Sequence, residues 1–311
     1  MTRRTILIFG GNGQDATILA NKLCKQNKLD IVSVFSKKVC RPAFANEKQV
    51  VVDYFSPALL IQLLEKWRPE SIYFLAGMTN TNLNCDVEVY AYHNVGPIEQ
   101  ILSWIRNQDE VCRLFHAGSV EMFGDRSGEI LDTTDAKPQS PYGRSKAMAH
   151  ELVQGAIDEG LFVVNSINSN HESILRRENF LFGKILGAIR EANQGHAQNI
   201  DLFGKEILKD WGYAGEFADI FCRLMDSDKP GTFLIATGIN YSIADMVSFL
   251  CQASGKENLL QFNFKPSERA FEVQQRHFKP DALLSRGLEP KVHGQKLAEN
   301  LVQDLTRETY S

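Results

Sequence analysis

Residues 5–16 read TILIFGGNGQDA, and this stretch decides the fold. Its first five residues form a short apolar run typical of a buried strand, and residues 17–24 have the pattern of a helix. Strand, glycine turn and helix form the phosphate-binding unit of a dinucleotide fold, because glycine lets the backbone approach a pyrophosphate at the helix N-terminus. The same turn is also compatible with a plain strand-to-helix connection.

The spacing within the turn is Gly-x-x-Gly-x-x-Ala, in which the last small residue allows close helix packing. This pattern predicts a set of cofactor-binding residues in the turn and the first helical turn. They are Gly10, Asn12, Gly13, Gln14 and Asp15.

Selectivity between cofactors is expected at the end of the second predicted strand, residues 30–35. NAD sites usually place a carboxylate there, whereas this chain has Ser36, Lys37 and Lys38, which suit a 2′-phosphate. The residues therefore favour NADP, although a solvated lysine pair is the plain alternative. Asp53 follows the apolar run at residues 50–52 and is expected near the adenine.

Predicted strands and helices alternate along the first half of the chain. The strands are 71–75, 113–117 and 161–165, and the helices are 86–107 and 141–159. This alternation predicts an α/β fold with a doubly wound parallel (Rossmann) sheet and ligands at the carboxyl ends of its strands. We expect residues 1–167 to bind NADP and residues 168–311 to form a smaller C-terminal lobe for substrate, with chain contributions that can interleave. Leu75, Ala76 and Gly77 join the predicted cofactor site.

A proton-handling site is predicted where a Tyr-x-x-x-Lys pair follows a hydroxyl and a carboxylate. Tyr142 and Lys146 lie one turn apart on a predicted helix, so the lysine charge would favour a phenolate base. Ser119 and Glu121 stand at the end of the fifth predicted strand. These four residues are the catalytic candidates, since such a set suits removal of a proton from a sugar hydroxyl.

Composition excludes several classes of protein. The net charge of -4 over 311 residues argues against a nucleic-acid partner. No apolar run reaches membrane-spanning length, and the chain begins with a strand, so we expect a cytoplasmic protein without a membrane partner. The six cysteines and seven histidines show no ligand spacing, and no metal site is predicted.

The chain resembles the extended short-chain dehydrogenase/reductases, and within them the GDP-mannose 4,6-dehydratases. The general motifs are Gly10-x-x-Gly13, Leu75-Ala76-Gly77 and Tyr142-x-x-x-Lys146. The narrower motifs, in family order, are Gly13-Gln14-Asp15, Ser119-Val120-Glu121-Met122-Phe123-Gly124, Asn170-His171-Glu172-Ser173, Asp210-Trp211-Gly212 and Ile235-Ala236-Thr237-Gly238. The resemblance runs from residue 5 to about residue 253.

The resemblance implies a redox-neutral elimination on a nucleotide sugar. Hydride leaves C4, a base removes the C5 proton as the C6 hydroxyl departs, and hydride returns to C6. Glu121 matches the acid/base carboxylate, and Ser119 takes the place of the usual threonine on the C4 oxygen. A carboxylate at the position of Glu121 also occurs in related decarboxylases, and Glu121 could merely cap the turn.

The resemblance also implies roles in the second half of the chain. His171 is expected at the cofactor, and Asn170 and Lys184 at the sugar and its diphosphate. Arginines of the family pattern are replaced by Lys209 and by Lys265, which precedes Glu268 in the Arg-Pro-x-Glu motif. The substrate-binding candidates are Asn170, Lys184, Lys209, Lys265 and Glu268, and the resemblance favours a GDP-sugar. Because lysine replaces arginine at two positions, we expect a sugar nucleotide that differs from GDP-mannose or binds more weakly.

Assembly is predicted from the same resemblance. The helices 86–107 and 141–159 pack in a homodimer in this family, whereas a tetramer is less certain because Ile174 and Leu175 replace part of a family segment. Two alternatives to a dehydratase stay open. One is a reductase, epimerase or decarboxylase on the same scaffold, and the other is a non-catalytic NADP-binding sensor or scaffold.

Overall fold

The structure, a computed structural model, describes residues 4–26, 28–79, 85–267 and 275–307. The chain forms two compact units, each built from three segments. Unit 1 contains Met1–Gly124, Thr134–Asn168 and Ala218–Phe233, and unit 2 contains Asp125–Thr133, Ser169–Phe217 and Leu234–Ser311. The assignment of a cofactor role to residues 1–167 and of a substrate role to residues 168–311 stays a prediction.

Fourteen strands lie within the described residues. In chain order they are β1 Arg4–Phe9, β2 Leu29–Phe35, β3 Glu47–Val51, β4 Ser71–Phe74, β5 Arg113–Ser119, β6 Gly128–Leu131, β7 Val163–Asn168, β8 Asn170–Glu172, β9 Gln198–Phe203, β10 Leu208–Tyr213, β11 Gly231–Ile235, β12 Asn240–Ser242, β13 Leu260–Lys265 and β14 Arg276–Lys279. Seven of them form one sheet in the order β11-β7-β5-β4-β1-β2-β3.

The large sheet confirms the predicted fold class. β1 pairs in parallel with both β2 and β4, β2 pairs in parallel with β3, and β4, β5 and β7 continue in parallel on the other side. The strand order therefore reverses its direction between β1 and β4, which is the switch point where doubly wound sheets bind ligands. The glycine turn follows β1 at this point.

Ten helices lie within the described residues, together with two short 3-10 helices. They are α1 Gln14–Leu23, α2 Pro57–Trp67, α3 Val87–Asn94, α4 Gly96–Arg106, α5 Pro141–Asp158, α6 Leu181–Asn193, α7 Ala214–Asp226, α8 Ile243–Ser254, α9 Asp281–Leu284 and α10 Gly294–Arg307. The 3-10 helices are Val120–Phe123 and Glu257–Leu259.

The single helix predicted over residues 86–107 is wrong. The structure has α3 and α4 instead, separated at Val95, which has φ −114° and ψ −50°. Pro97 explains the break, because proline has no backbone N–H and its ring clashes with the carbonyl four residues earlier. Gly96 adds a second residue with poor helix propensity.

Each unit has its own hydrophobic core. In unit 1, Leu7, Phe9 and Ile72 are buried with apolar residues of α2, α4 and α5. In unit 2, Phe182 and Trp211 are buried with apolar residues of α6, α8 and α10. The remaining strands form three small sheets, with the orders β12-β10-β8, β13-β9 and β14-β6.

Candidate active site

The glycine turn after β1 lies against the end of β4. Gly10 has φ +89°, and a Cβ at this position would lie 3.0 Å from the Cα and N of Ala76. Only glycine tolerates both this conformation and this approach. The N–H of Gly10 donates to the Val34 carbonyl at 3.2 Å, and the N–H of Gly13 donates back to the Gly10 carbonyl at 2.7 Å. The predicted Leu75-Ala76-Gly77 motif thus lies beside the glycine turn.

The first turn of α1 presents backbone N–H groups without a side-chain cap. Gly13 is the N-cap residue, and it has no side chain that could cap the helix. Gln14 and Asp15 follow in the first turn, and Gln14 Nε2 donates to Asp15 Oδ1 at 3.1 Å. Uncapped N–H groups at a helix start suit an anion such as a pyrophosphate.

Asn12 ties the glycine turn to the loop after β2. Its Nδ2 donates to the Lys38 carbonyl at 2.7 Å, and its Oδ1 accepts from the Cys40 N–H at 2.8 Å. The side chain predicted to contact the cofactor therefore holds the loop in which cofactor selectivity is expected.

The residues predicted to select the cofactor lie at the carboxyl ends of β2 and β3. The Ser36 side chain is hydrogen-bonded to the buried Tyr54 hydroxyl, and Lys37 is exposed. Burial lowers the pKa of His93, the charge of Lys37 lowers it further, and the charge of Asp53 opposes both. Lys37 and Asp53 thus both lie near His93, at the edge of the sheet where an adenosine is expected.

Ser119 and Glu121 are positioned by the 3-10 helix that follows β5. Ser119 is its N-cap residue, and its Oγ accepts from the Glu121 N–H at 3.2 Å. Gly143, in the first turn of α5, allows this helix to pack closely, since a Cβ there would lie 2.6 Å from the Glu121 carbonyl oxygen. Ser140 caps α5 by accepting from the Gly143 N–H at 2.9 Å. The segment that carries Ser119 and Glu121 therefore packs beside the start of the Tyr142 helix.

Lys146 is a buried ammonium group on the same helix. Its Nζ donates to the Ala117 carbonyl at 2.8 Å and lies 6.0 Å from the centre of the Tyr142 ring. Burial lowers the pKa of Lys146 to about 8, and the Asp15 carboxylate acts in the opposite direction. Because the charge of Asp15 acts on the pKa of Lys146, the start of α1 and the Tyr-Lys helix lie close enough to interact electrostatically.

Sequence reasoning missed Asn94, which orders the same region. Its Oδ1 accepts from the Met78 N–H at 2.7 Å, and its Nδ2 donates to Ser145 Oγ at 2.9 Å. Asn94 therefore links the chain after β4 to α5. The only local signal is a polar residue at the end of a helix, and that signal does not identify its partner.

His116 was also missed, because it lies inside β5 without any ligand spacing. Its Nδ1 is 2.9 Å from Asn165 Oδ1, and Asn165 Nδ2 is 2.9 Å from His150 Nδ1. Burial lowers the pKa of His116 to about 3, and the charge of Lys146 acts in the same direction. The imidazole is therefore neutral under ordinary conditions.

Unit 2 joins two of the family motifs around one buried carboxylate. Asp210 Oδ1 accepts from Ser169 Oγ at 2.8 Å and from the Thr237 N–H at 3.1 Å. Asp210 Oδ2 accepts from Thr237 Oγ1 at 3.0 Å and from the Gly238 N–H at 2.7 Å. Burial raises the pKa of Asp210, and these hydrogen bonds act in the opposite direction. The Asp-Trp-Gly and Ile-Ala-Thr-Gly motifs are thus bonded to each other.

The Asn-His-Glu-Ser motif forms β8, next to β10. Asn170 Nδ2 donates to the Asp210 carbonyl at 3.3 Å. The His171 ring stacks on Phe217 with centroids 4.4 Å apart, and its Nδ1 donates to the Ser169 carbonyl at 2.8 Å. Glu172 accepts from Arg176 at 2.8 and 3.2 Å. The binding roles predicted for Asn170 and His171 stay predictions.

The predicted phosphate-binding lysines lie in different parts of unit 2. Lys265 Nζ pairs with Asp201 Oδ2 at 2.5 Å on the neighbouring strand β9, and Lys184 on α6 also lowers the pKa of Asp201 by its charge. Lys209 is half-buried on β10. Asp201, which sequence reasoning missed, thus contributes a negative charge beside two of the lysines. Glu268 lies outside the described residues.

A comparison with known families agrees with these motifs. The model of the family described as GDP-mannose 4,6 dehydratase matches residues 7–292. The chain belongs to this family. It is therefore a nucleotide-sugar 4,6-dehydratase-type enzyme of the extended short-chain dehydrogenase/reductases.

Individual proteins of known sequence or structure are also similar to this chain. GDP-mannose 4,6 dehydratase 2 of Arabidopsis thaliana is 28% identical over 262 residues, which are 78% of this chain and 68% of the relative. UDP-glucose 4-epimerase of Thermotoga maritima, solved with UDP-glucose, superposes with a TM-score of 0.85 at 19% identity, covering 99% and 100% of the two chains. dTDP-glucose 4,6-dehydratase of Bacillus anthracis, solved with NAD, gives 0.79 at 16% identity, covering 98% and 97%. The two structural likenesses establish the fold alone.

Membrane association through a helix has no support in the described part of the chain, where no helix is long and apolar enough to span a bilayer.

Proposed function

We propose that this protein is an NADP-dependent nucleotide-sugar 4,6-dehydratase that acts on a GDP-mannose-like substrate. The observation that carries the proposal is the packing of the Ser119–Glu121 segment against the first turn of α5, which Gly143 permits. A Tyr-Lys pair alone suffices for oxidation or reduction at C4. Elimination also needs a carboxylate that can move a proton between C5 and the C6 oxygen, and Glu121 is that group.

The residues around the glycine turn fit a nicotinamide dinucleotide. The turn brings uncapped N–H groups of α1 to the switch point of the sheet, which suits a pyrophosphate. When bound, such a cofactor would take a hydride from C4 of the sugar and return it to C6.

The protein residues then handle the protons. Tyr142 takes the proton of the C4 hydroxyl, and the charged Lys146 favours the phenolate that this requires. Glu121 removes the C5 proton, made acidic by the C4 ketone, and delivers it to the departing C6 hydroxyl, which leaves as water. Ser119 donates a hydrogen bond to the C4 oxygen. The proton held by Tyr142 finally replaces the one lost from C5, so both side chains return to their starting states.

NADP is favoured over NAD by charge at the end of β2. Lys37 and Lys38 are exposed, and Ser36 adds a hydroxyl. Two ammonium groups and no acid at this position suit a 2′-phosphate. Titration of the cofactor-free protein with both dinucleotides tests this preference, and comparable affinities would contradict it.

The substrate-binding residues proposed in unit 2 are Asn170, Lys184, Lys209, Lys265 and Glu268. The positive charges of Lys184, Lys209 and Lys265 suit a diphosphate, which lysines hold as point charges and not with the two-point grip of arginine. A GDP-sugar is the substrate class that the family favours.

A homodimer through α3, α4 and α5 is the proposed assembly, with a tetramer as a further possibility. Val89 and Tyr92 on α3 are 41% and 56% exposed, and Met148 on α5 is 45% exposed. Such apolar groups on adjacent helices suit a subunit contact. Light scattering at micromolar concentration should give twice the monomer mass, and a monomer would refute the proposal.

The test of function is incubation with a panel of nucleotide sugars, followed by mass spectrometry. One of them should yield a product lighter by one water, with no net consumption of NADPH. Stoichiometric loss of NADPH would instead identify a reductase, and a product of unchanged mass an epimerase. Release of carbon dioxide would identify a decarboxylase, and binding without turnover of any sugar a non-catalytic protein.

A further inference from the structure

Arg41, in the loop after β2, uses all five of its N–H donors inside unit 1. Its Nε donates to the Gly11 carbonyl at 2.9 Å. Its Nη1 donates to the Pro42 carbonyl at 3.0 Å and to Glu47 Oε2 at 2.8 Å. Its Nη2 donates to Glu47 Oε1 at 2.5 Å and to Ser33 Oγ at 3.3 Å. A guanidinium has no further donors, so this side chain has none left for a ligand.

Glu47, at the start of β3, is the counter-ion. Its side chain is fully buried, and that of Arg41 is only 12% exposed. Glu47 also accepts hydrogen bonds from the Ser33 hydroxyl and from the Phe44 N–H. Burial alone would raise the pKa of Glu47, but the hydrogen bonds from Arg41, Ser33 and Phe44 lower it overall. The carboxylate therefore stays ionised beside the guanidinium at neutral pH.

Aromatic rings complete the surroundings of the guanidinium. It lies 4.7 Å from the centre of the Phe44 ring and 5.5 Å from that of Phe35. The Phe35 ring would in turn lie 2.6 Å from a Cβ at Gly11. Gly11 is thus enclosed by Phe35 on one side, and its carbonyl is bonded to Arg41.

The bond to Gly11 sets the direction of the next N–H. In a trans peptide the C=O and the following N–H point in opposite directions. Because Arg41 holds the Gly11 carbonyl, the Asn12 N–H points away from Arg41. The described residues offer this N–H no acceptor, whereas the Asn12 side chain bonds to Lys38 and Cys40. The peptide between Gly11 and Asn12 is therefore fixed with one donor available.

We propose that Arg41, with Glu47 as its counter-ion, is a positioning residue for the dinucleotide, because it fixes the Gly11–Asn12 peptide so that the Asn12 N–H serves the pyrophosphate. The inference rests on the part of the proposed function that assigns a dinucleotide to the glycine turn. Arg41 acts through the backbone and does not touch the 2′-phosphate. Its loss therefore weakens NADP and NAD by the same factor, since both share the pyrophosphate.

The experiment is calorimetric titration of the full-length, cofactor-free protein with NADP and with NAD. Arg41→Lys keeps the charge beside Glu47 but loses the fork that reaches Gly11. The double variant Arg41→Met/Glu47→Leu removes both charges together, so that neither is left buried without a partner. Arg4→Met is the matched control, because Arg4 pairs with Glu70 at 2.8 Å with both side chains about half exposed.

Both Arg41 variants should bind NADP and NAD roughly 10- to 100-fold more weakly, the effect of losing one charge-assisted hydrogen bond. Their ratio of affinities for the two cofactors should equal that of the wild type, and circular dichroism should report folded protein. The Arg4→Met control should bind both cofactors as the wild type does.

Unchanged affinities in folded Arg41→Lys would overturn the inference. A loss confined to NADP would also overturn it, since that pattern requires a contact with the 2′-phosphate. Neither result depends on sugar turnover, so failure of the dehydratase assignment in the substrate panel leaves this test intact. A wild-type protein that binds neither cofactor would overturn both proposals.

Discussion

Lys146 in unit 1 and Asp210 in unit 2 are both buried charged groups within family motifs, but they are bonded very differently. Lys146 donates one hydrogen bond, to the Ala117 carbonyl. The Asp210 carboxylate accepts four, from Ser169, Thr237 and Gly238. A buried charge with few partners costs stability and is kept for chemistry, whereas a fully bonded one orders the fold. A motif that marks the family therefore does not by itself mark a ligand contact.

Among the variants considered, Glu121→Gln is expected to have the largest effect on turnover. If Glu121 removes the C5 proton, the amide blocks elimination and lowers turnover by about two to four orders of magnitude. Oxidation at C4 still proceeds, because Tyr142 and Lys146 are intact. Reduced nicotinamide should therefore accumulate on the enzyme, absorbing near ~340 nm in this hydride chemistry, without release of a dehydrated sugar.

Tyr142→Phe is the matched variant for that experiment, since it should stop the reaction before any hydride leaves C4. Absorbance from reduced cofactor should then be missing in Tyr142→Phe and present in Glu121→Gln. Near-normal turnover of Glu121→Gln would show that Glu121 is not the elimination base. Identical failure of both variants before hydride transfer would favour the reductase or epimerase assignment.

Asp210→Ala tests whether the fully bonded carboxylate in unit 2 stabilises the fold. Removal of the carboxylate takes an acceptor from the buried Ser169 hydroxyl and from the half-buried Thr237 and Gly238 N–H groups, so the free energy of unfolding should fall by on the order of 3 kcal/mol. Asp245→Ala is the control, because its carboxylate only completes the capping box of α8, and about 1 kcal/mol is expected there. Urea denaturation measures both. An Asp210 variant that keeps its stability and loses substrate binding would make Asp210 a ligand group instead.

Lys146→Met should stabilise the cofactor-free protein while it abolishes turnover. Burial lowers the pKa of Lys146 from 10.5 to about 8, so the charged form is disfavoured in the fold and Met should raise the free energy of unfolding by roughly 1–3 kcal/mol at pH 7. Between pH 8 and 10.5 the unfolded chain holds a proton that the folded one has released, so wild-type stability rises with pH. Denaturation of both proteins from pH 7 to 10 should show their difference shrinking. A constant difference would contradict the assignment.

The sequence predicted best those features that depend on neighbours along the chain. The unit of β1, glycine turn and α1 follows from an apolar run beside Gly10 and Gly13, and the Tyr142–Lys146 helix follows from spacing. The break at Val95 could have been predicted, because Pro97 lacks an N–H and its ring clashes with the preceding turn of a continuous helix.

The features that sequence reasoning missed depend on residues far apart in the chain. Arg41 bonds to Gly11 across 30 positions, and Asn94 bonds to Ser145 across 51. Lys265 pairs with Asp201 because β13 lies beside β9, although the two residues are 64 positions apart in the chain. No local periodicity reports such contacts, since they are made when strands and helices pack together.

The smallest effect is expected from Asp201→Asn. Asp201 is exposed and pairs with Lys265, and the charge of Lys184 also acts on it. If these lysines bind the diphosphate of the substrate, the carboxylate competes with the phosphates for the same ammonium groups. Its removal should then tighten nucleotide-sugar binding by roughly two- to fivefold, the range for one exposed ion pair.

The dependence of this effect on ionic strength is a check, because salt screens the interaction between exposed charges. Titration calorimetry at low and high ionic strength should show the gain of Asp201→Asn shrinking as salt is added. Glu299→Gln, which removes the same charge from a pair with Lys296 on α10, should leave the affinity unchanged. Weaker binding by Asp201→Asn would mean that Asp201 orders Lys265 for the substrate, and equal binding would mean that its carboxylate does not compete with the phosphates for these lysines.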